Sequence, residues 1–462
     1  GQVDTDTNAS TEAAGTAAAE TTESEKEWYG TEDGKTITLH FWGGVQPEYG
    51  YDDLCANFNE EYKDKGLQVE YVRYVNDDNG NLQLETYLMG GGDVDLFIGY
   101  GGRAKMDKRV DSNLLLDMSG MLNDIGFNLD DELGVANMAE YHYDDGAVYG
   151  FPTKYENSRW ILINEDMFKE AGLDIPYDGW TYSEFLAAAE KLTHGEGQDK
   201  VYGVCWARKQ SGNSILNALD AVLGANQIYK NEEGTEVNFD NDVYRAGLNL
   251  VKETLDKGYA IPIEDEFSED LSVANTFLQG KCAIMLGVAQ MRLCMDQENY
   301  PHDFMTALVP APVPDDEKYN TEFYRKQIGT TGAGDLLSIS ANTKYPEASF
   351  EFAMWYLKGG MSPLVQGGRI PLWNGVNKDE VLSVLKEKAQ GSIDMDSMEN
   401  YLSLDTTQGV AAIKGHASSE ISSAWFEEFD AMCYGKQSAD QTVQNMEKRG
   451  NELIQTELSS QK

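Results

Sequence analysis

Positive charge is what this sequence has least of for its size. Lys and Arg total 36 against 79 Asp and Glu in 462 residues, a formal net charge of -43. Such a chain is repelled by phosphate backbones and anionic headgroups, which sets aside nucleic acid and acidic membrane surfaces as partners. Long apolar runs are missing as well. A membrane-crossing helix needs about 18 or more apolar residues in succession, and none occurs. Cysteine is sparse: Cys55, Cys205, Cys282, Cys294 and Cys433 lie far apart with no CxxC pair. They form no small-domain framework, at least one is unpaired within the monomer, and they read as small buried hydrophobes rather than nucleophiles. Their number decides little about compartment.

Catalytic and metal signatures are absent in the same way. The histidines show neither HExxH nor clustering, and there is no GxSxG, so metal-site and nucleophilic-hydrolase readings have no support. "YGTEDGKT" at 29–36 is one residue short of a phosphate loop and precedes a strand instead of linking strand to helix. "GYGGRA" and "GTTGAG" miss the dinucleotide spacing, and "DDNGNLQLE" fails the calcium-loop positions. "SVLK" at 383–386 matches SxxK without its partner motifs. No cofactor and no metal is called for. A carboxylate pair of the glycosidase type is invisible to motif reading in so acidic a chain, which leaves an enzyme open.

What is present begins with a polar leader. The first 27 residues hold no aromatic residue and a single basic one, Lys26. That composition buries too little apolar surface to offset ordering, so residues 1–30 read as a disordered tether, with any hydrophobic leader already removed. From Trp28 onward strands and helices alternate. "KTITLHFW" and "LQVEYVRYV" flank the helical "YDDLCANFNEEYKDKG", a helix is expected around Leu82 to Met89, and "VDLFIGY" at 94–100 follows as a buried strand. "VYGFPTKY" and "SRWILIN" read as strands, and "WTYSEFLAAAEKLT" opens with a Thr or Ser cap. Helices are expected from about Ser211 to Leu278, then strands at "KCAIMLGV" and "GDLLSIS", the helix "PEASFEFAMWYLKGG", and a helical end from about Ser418. This is βαβ grammar, an α/β chain long enough for two lobes.

The stretch "YGFPTKYENSRWILINEDMFKEAGLDIPYDGWTYSEFLAAAEKLT" resembles the segment that enters the second lobe in family 1 extracellular solute-binding proteins of ABC importers, the group containing maltodextrin binders. "MGGGDVDLFIGY", "DSNLLLDMSGML", "FLQGKCAIMLGVAQMR", "ISANTKYPEASFEFAMWYL", "GGRIPLWNG" and "AWFEEFDAMCYGKQSADQTV" follow in the family's order, so the resemblance spans about Lys35 to Gln455. It implies a two-lobed periplasmic-binding-protein-like fold with a central cleft and a hinge of several crossings, near Phe151–Tyr155, Lys281–Gly287 and Gly329–Ile339. The first lobe is expected from 31–152 and 284–332, the second from 153–283 and 333–462. It further implies a non-enzymatic, monomeric receptor outside the cell that captures a carbohydrate, an oligosaccharide, and delivers it to the membrane permease subunits of an ABC importer. The leader looks like the linker of Gram-positive lipoproteins, whose anchor residue is not in this chain. Capture of a cationic or peptide-like solute, and a secreted carbohydrate-active enzyme, stay open.

Sugars present weakly apolar faces and hydroxyl rims, so a site needs aromatic platforms and planar polar groups. Ligands gather beyond the carboxyl ends of strands in open α/β sheets, where Trp42 of "TLHFWGG" and Tyr100 stand. By resemblance Trp42, Trp206 and Trp425 match stacking positions, Tyr100 lies beside one, Arg103 falls where an arginine meets hydroxyls, and Glu156 with Tyr155 matches an acid aimed at the sugar. Arg369 and Trp373 flank a glycine-rich loop, and Gln290 stands where many members carry tryptophan, reshaping one subsite. Trp42→Ala is then expected to leave folding nearly intact. Trp160, Trp180 and Trp355 read as packing residues.

Overall fold

The computed structural model describes residues 26–210, 228–326, 335–389, 391–408 and 413–461. The expected tether up to residue 25, the start of the helical stretch from Ser211 and the "GTTGAG" segment lie outside the described residues. The expected tether boundary at residue 30 falls too late. Tyr29 is buried, and its N–H donates to the Lys65 carbonyl at 2.7 Å, because an aromatic ring beside Tyr62 gains more from packing than from solvent.

Eleven strands among the described residues divide into two main sheets and a short ribbon. They are β1 (Ile37–Gly43), β2 (Leu67–Arg73), β3 (Leu96–Gly99), β4 (Phe151–Pro152), β5 (Lys154–Tyr155), β6 (Trp160–Asn164), β7 (Tyr202–Cys205), β8 (Cys282–Leu286), β9 (Thr306–Pro310), β10 (Leu336–Ile339) and β11 (Ile370–Pro371). The first sheet runs β2-β1-β3-β10-β4, the second β7-β8-β6-β9, and β11 pairs with β5. β1, β2 and β3 are parallel, β10 runs antiparallel to both its neighbours, and in the second sheet β6 runs antiparallel to β8 and β9.

The helices used below are α1 (Tyr51–Glu61), α2 (Tyr182–Leu192), α3 (Ile263–Ser268), α4 (Pro346–Trp355), α5 (Met395–Leu402), α6 (Ser418–Cys433) and α7 (Ala439–Ser460). α1 buries Tyr51, Leu54 and Phe58, one helical stripe, and ends before the left-handed Gly66. α4 carries proline in its first turn, where the missing N–H costs nothing. Both cover the same side of β1, with the Phe41 ring 5.9 Å from Tyr51 and 5.1 Å from Phe352. β6, β8 and β9 are buried at every residue, as strands covered on both faces must be.

Strand pairing corrects the expected lobe boundaries. β8 and β9, at 282–286 and 306–310, belong to the second sheet, and β10, at 336–339, belongs to the first. Among the described residues the first sheet therefore draws its strands from 37–152 and 336–339, and the second from 160–205 and 282–310. The expected crossing at Lys281–Gly287 is an interior strand of lobe two. A short apolar strand such as "CAIML" carries no mark of which sheet it will join.

Candidate functional site

Among the described residues three crossings between the two main sheets are seen, and the candidate site is built where they meet. The first runs from β4 through β5 to β6, the second from β9 to β10, and the third from the left-handed Gly368 through β11. Ile370 pairs with Tyr155 and Pro371 with Lys154, and the Leu372 N–H donates to the Thr153 carbonyl at 2.8 Å. On the second-lobe side the Tyr401 hydroxyl, from α5, accepts the Asn157 N–H at 2.9 Å.

One carboxylate connects all three crossings. Asp335, just before β10, accepts a bond from Arg369 Nη1 at 2.9 Å and lies 3.3 Å from Lys154 Nζ. Glu156 lies 3.8 Å from the same ammonium. The side chains of Asp335, Arg369 and Lys154 are only 16%, 19% and 22% exposed. Burial pushes the Asp335 carboxyl up, yet Lys154 and Arg369 together outweigh it and hold the group below the usual carboxylate range. Burial likewise opposes the Arg369 charge, and Tyr51, Asp335 and Tyr100 overcome that.

Beside this cluster stand Tyr71 and Tyr74 at the carboxyl end of β2, Tyr100 directly after β3, and Tyr51 at the start of α1. The Tyr100 hydroxyl accepts the Gly44 N–H at 2.7 Å, and the Tyr71 hydroxyl donates to the Val45 carbonyl at 2.6 Å. Tyr71 stacks on Tyr51 at 3.9 Å, and Tyr74 lies 6.0 Å from Tyr100. Burial pushes the hydroxyls of Tyr51, Tyr71 and Tyr100 up, with Arg369 partly offsetting it. The glycines after Trp42 exist for these rings: a Cβ on Gly43 would sit 2.8 Å from the Tyr71 hydroxyl, and one on Gly44 2.8 Å from the Tyr100 ring.

Of the residues singled out in the sequence, the structure brings Tyr100, Tyr155, Glu156 and Arg369 to this meeting point. Trp373 lies at its edge, donating from its indole to Glu132 of lobe one at 2.7 Å. The other tryptophans are placed in lobe cores. Trp42 is 3% exposed, with its indole N–H on the Asp93 carbonyl at 2.8 Å and its ring 5.0 Å from Tyr87. Trp206 is 2% exposed and bonded to Thr254, and Trp425 is 1% exposed and stacked on Phe239 at 5.3 Å. As placed, none of the three offers a ring face to a ligand, because Trp42 lies within β1, Trp206 directly follows β7 and Trp425 lies on the buried stripe of α6. Arg103 is engaged by Asp107 and the carbonyls of Glu140 and His142, flat on the Tyr143 ring at 4.0 Å. Gln290 is half-buried in the turn after β8. Trp160 and Trp180 are buried as read, while Trp355 is half-buried and donates to Glu61.

Asp335 and Lys154 were not singled out from sequence. Lys154 stands inside the quoted "PTKYEN", but nothing local marks Asp335 among 79 acidic residues.

A second buried polar cluster lies beyond β7. Arg208 makes paired bonds to Asp430 at 2.8 and 3.0 Å and lies 4.2 Å from the Phe426 ring. Beside it Glu266, on α3, is buried with its Oε2 unbonded among the described residues, and burial pushes its carboxyl up to about 8. The thiols are packing groups: all five cysteines are free, and burial pushes Cys55 and Cys294 up to about 12. Among the described residues no group of three or more His, Cys, Asp or Glu is arranged to hold a metal, and no helix is long and apolar enough to cross a membrane.

A model of the bacterial extracellular solute-binding proteins matches residues 43–358. The chain belongs to that family. This solute-binding protein has the fold of a sugar transporter from Rhizobium etli solved in an open conformation, at 17% identity over 91% of this chain and 99% of that one, with a TM-score of 0.64. An ABC substrate-binding protein from Listeria monocytogenes in complex with cycloalternan is 17% identical over 90% of this chain and 98% of that one, TM-score 0.61. A cyclic alpha-maltosyl-1,6-maltose binding protein from Arthrobacter globiformis is 16% identical over 91% of this chain and all of that one, TM-score 0.62. The two-lobed architecture expected from the sequence is thus the architecture of the solute-binding protein itself.

Proposed function

We propose that this solute-binding protein captures an oligosaccharide between its lobes and delivers it to the permease subunits of an ABC importer. The observation that carries the reading is the layout of two independent sheets joined by three crossings, in a chain of the extracellular solute-binding family. Two lobes on a narrow hinge close on a solute that binds the closed state better. Tyr71, half-buried on β2 at the meeting point, is an amphipathic ring of the kind sugars need, and solved structures of the same fold include a protein in complex with cycloalternan and a binder of a cyclic maltosyl-maltose. The protein acts as a monomer, as a binder and not as a catalyst, held to the outer face of the membrane by a lipid anchor upstream of its acidic leader.

Calorimetric titration with linear and cyclic α-glucans and with xylo-oligosaccharides tests the proposal, with a spermidine and oligopeptide arm alongside. Heat from one glycan class, with the sugar recovered at unchanged length, is the expected outcome. Heat from the spermidine or peptide arm alone, or shortened sugar, overturns it.

A further inference from the structure

We propose that Asp335 positions the two lobes for closure: it is the shared counter-ion that holds the three crossings to one pivot. The inference deepens the capture reading and rests on it for its purpose, though not for its test.

The geometry is specific. The lobes are connected by strands as short as two residues in β5 and β11, and ladder bonds of that length leave the crossings free to slide. What links them laterally is ionic. Arg369 comes from the third crossing, Lys154 from the first, and Asp335 from the second, and both cations reach the same carboxylate, at 2.9 and 3.3 Å. Lys154 and Arg369 also stand on paired strands, since Lys154 faces Pro371 across the ribbon and Arg369 precedes Ile370. The three groups are largely shielded from water, so bulk salt screens them weakly. Glu156, at 3.8 Å, is the only other acid that an ion pair of 4 Å or less links to Lys154 or Arg369 among the described residues.

The charge count makes the arrangement asymmetric. With either cation removed, the other still has Asp335 as its partner. With Asp335 removed, Arg369 has no acid within 4 Å among the described residues and Lys154 keeps only Glu156 at 3.8 Å, and a buried charge without its partner is costly. The response available to this fold is for the first and third crossings to part, and because each crossing carries the chain into a lobe, parting them changes the angle between lobes. Asp335 is therefore a positioning residue: it acts on the ligand through the lobes and not by contact.

The test reads lobe geometry directly in ligand-free, full-length protein. Spin labels are attached through azide chemistry at the exposed positions 60, on α1, and 190, on α2, leaving the native thiols untouched, and their separation is measured by pulsed dipolar spectroscopy. Asp335→Asn is expected to broaden the distance distribution and shift its mean by more than ~2 Å, the scale that separates lobe rearrangement from side-chain motion. Lys154→Met added to Asp335→Asn removes the cation that repels the unpartnered Arg369 and is expected to restore the distribution toward that of the unsubstituted protein. An unchanged distribution in Asp335→Asn with only a lower melting temperature overturns the proposal, as does failure of the second substitution to restore. Should Asp335→Asn not fold, Asp335→Glu takes its place: it keeps the charge, lengthens the side chain by one methylene, and is expected to shift the mean while leaving the width unchanged. Absence of glycan binding by the unsubstituted protein would refute the capture reading and leave these distances fully interpretable.

Discussion

Trp42 and the two glycines after it show how a single position divides between packing and recognition. The sequence presents a large apolar ring at the end of a strand, where a sugar platform would stand. In the structure that ring is closed off by Tyr87 and Tyr74, with its N–H satisfied by Asp93, and the rings at the strand ends are tyrosines. Trp42→Ala is therefore expected to destabilise the fold by about 3–5 kcal/mol, the usual cost of emptying a buried tryptophan site, read as a fall in denaturation midpoint at unchanged slope. A midpoint within error of the unsubstituted protein, with binding lost, would return Trp42 to the role first expected. Gly44→Ala carries a separate expectation. Its Cβ meets the Tyr100 ring at 2.8 Å, so the ring must move and release the Gly44 N–H, an overpacking cost of about 1–3 kcal/mol. The same midpoint measurement checks it, and an unchanged value would mean Tyr100 relocates freely. Neither constraint could be seen in sequence, because both depend on what other strands bring alongside.

At the scale of elements, legibility depended on whether the signal was local. The cap of α2 was readable as a Thr or Ser, and it is Thr181: its side chain accepts the Glu184 N–H at 3.2 Å and the Glu184 carboxylate accepts the Thr181 N–H at 3.3 Å, a capping box. Thr181→Ala should cost about 1 kcal/mol, and a thermal melt checks it; no change would mean that packing of the α2 face alone holds its start. The sheet partners of β8, β9 and β10 were not readable, since pairing is a long-range choice between two apolar sheets. The cluster on α3 was equally hidden, and it predicts a pH response. Glu266 has its carboxyl raised from the ordinary 4.5 to about 8 in the folded chain, so the folded state holds a proton that the unfolded state has lost. Its contribution to stability is full below about pH 4.5, declines as pH rises toward about 8, and is flat beyond. Glu266→Gln should remove that decline, of a few kcal/mol at this shift. Equal pH slopes for both proteins between these limits would refute it.

The whole molecule carries its net charge of -43 on a two-lobed frame, and self-repulsion at that level works against compactness. Raising NaCl from a few millimolar to about 0.15 M shortens the screening length to about 8 Å, so the melting temperature is expected to rise with salt over that range. A falling or constant value would show that surface ion pairs outweigh the repulsion. The two-lobe architecture and the family were legible from motifs spread along the chain. The cleft residues were less so, because the motif positions occupied by tryptophan have been taken into the cores, and the polar work at the crossings is done by Tyr100, Lys154, Asp335 and Arg369.

The place of β10 has a consequence for how the polypeptide is made. β4 at 151–152 is held in its sheet by β10 at 336–339, which lies between it and β3. A growing chain that has emerged only as far as residue 326 has four strands of that sheet and lacks β10, which joins β4 to β3. The first lobe therefore cannot close before nearly three-quarters of the chain is available, and the first-made half must wait, incomplete, for a strand made long afterward. A fragment ending at residue 326 should accordingly give an unfolded or half-formed first lobe beside a second sheet that already has all four of its strands.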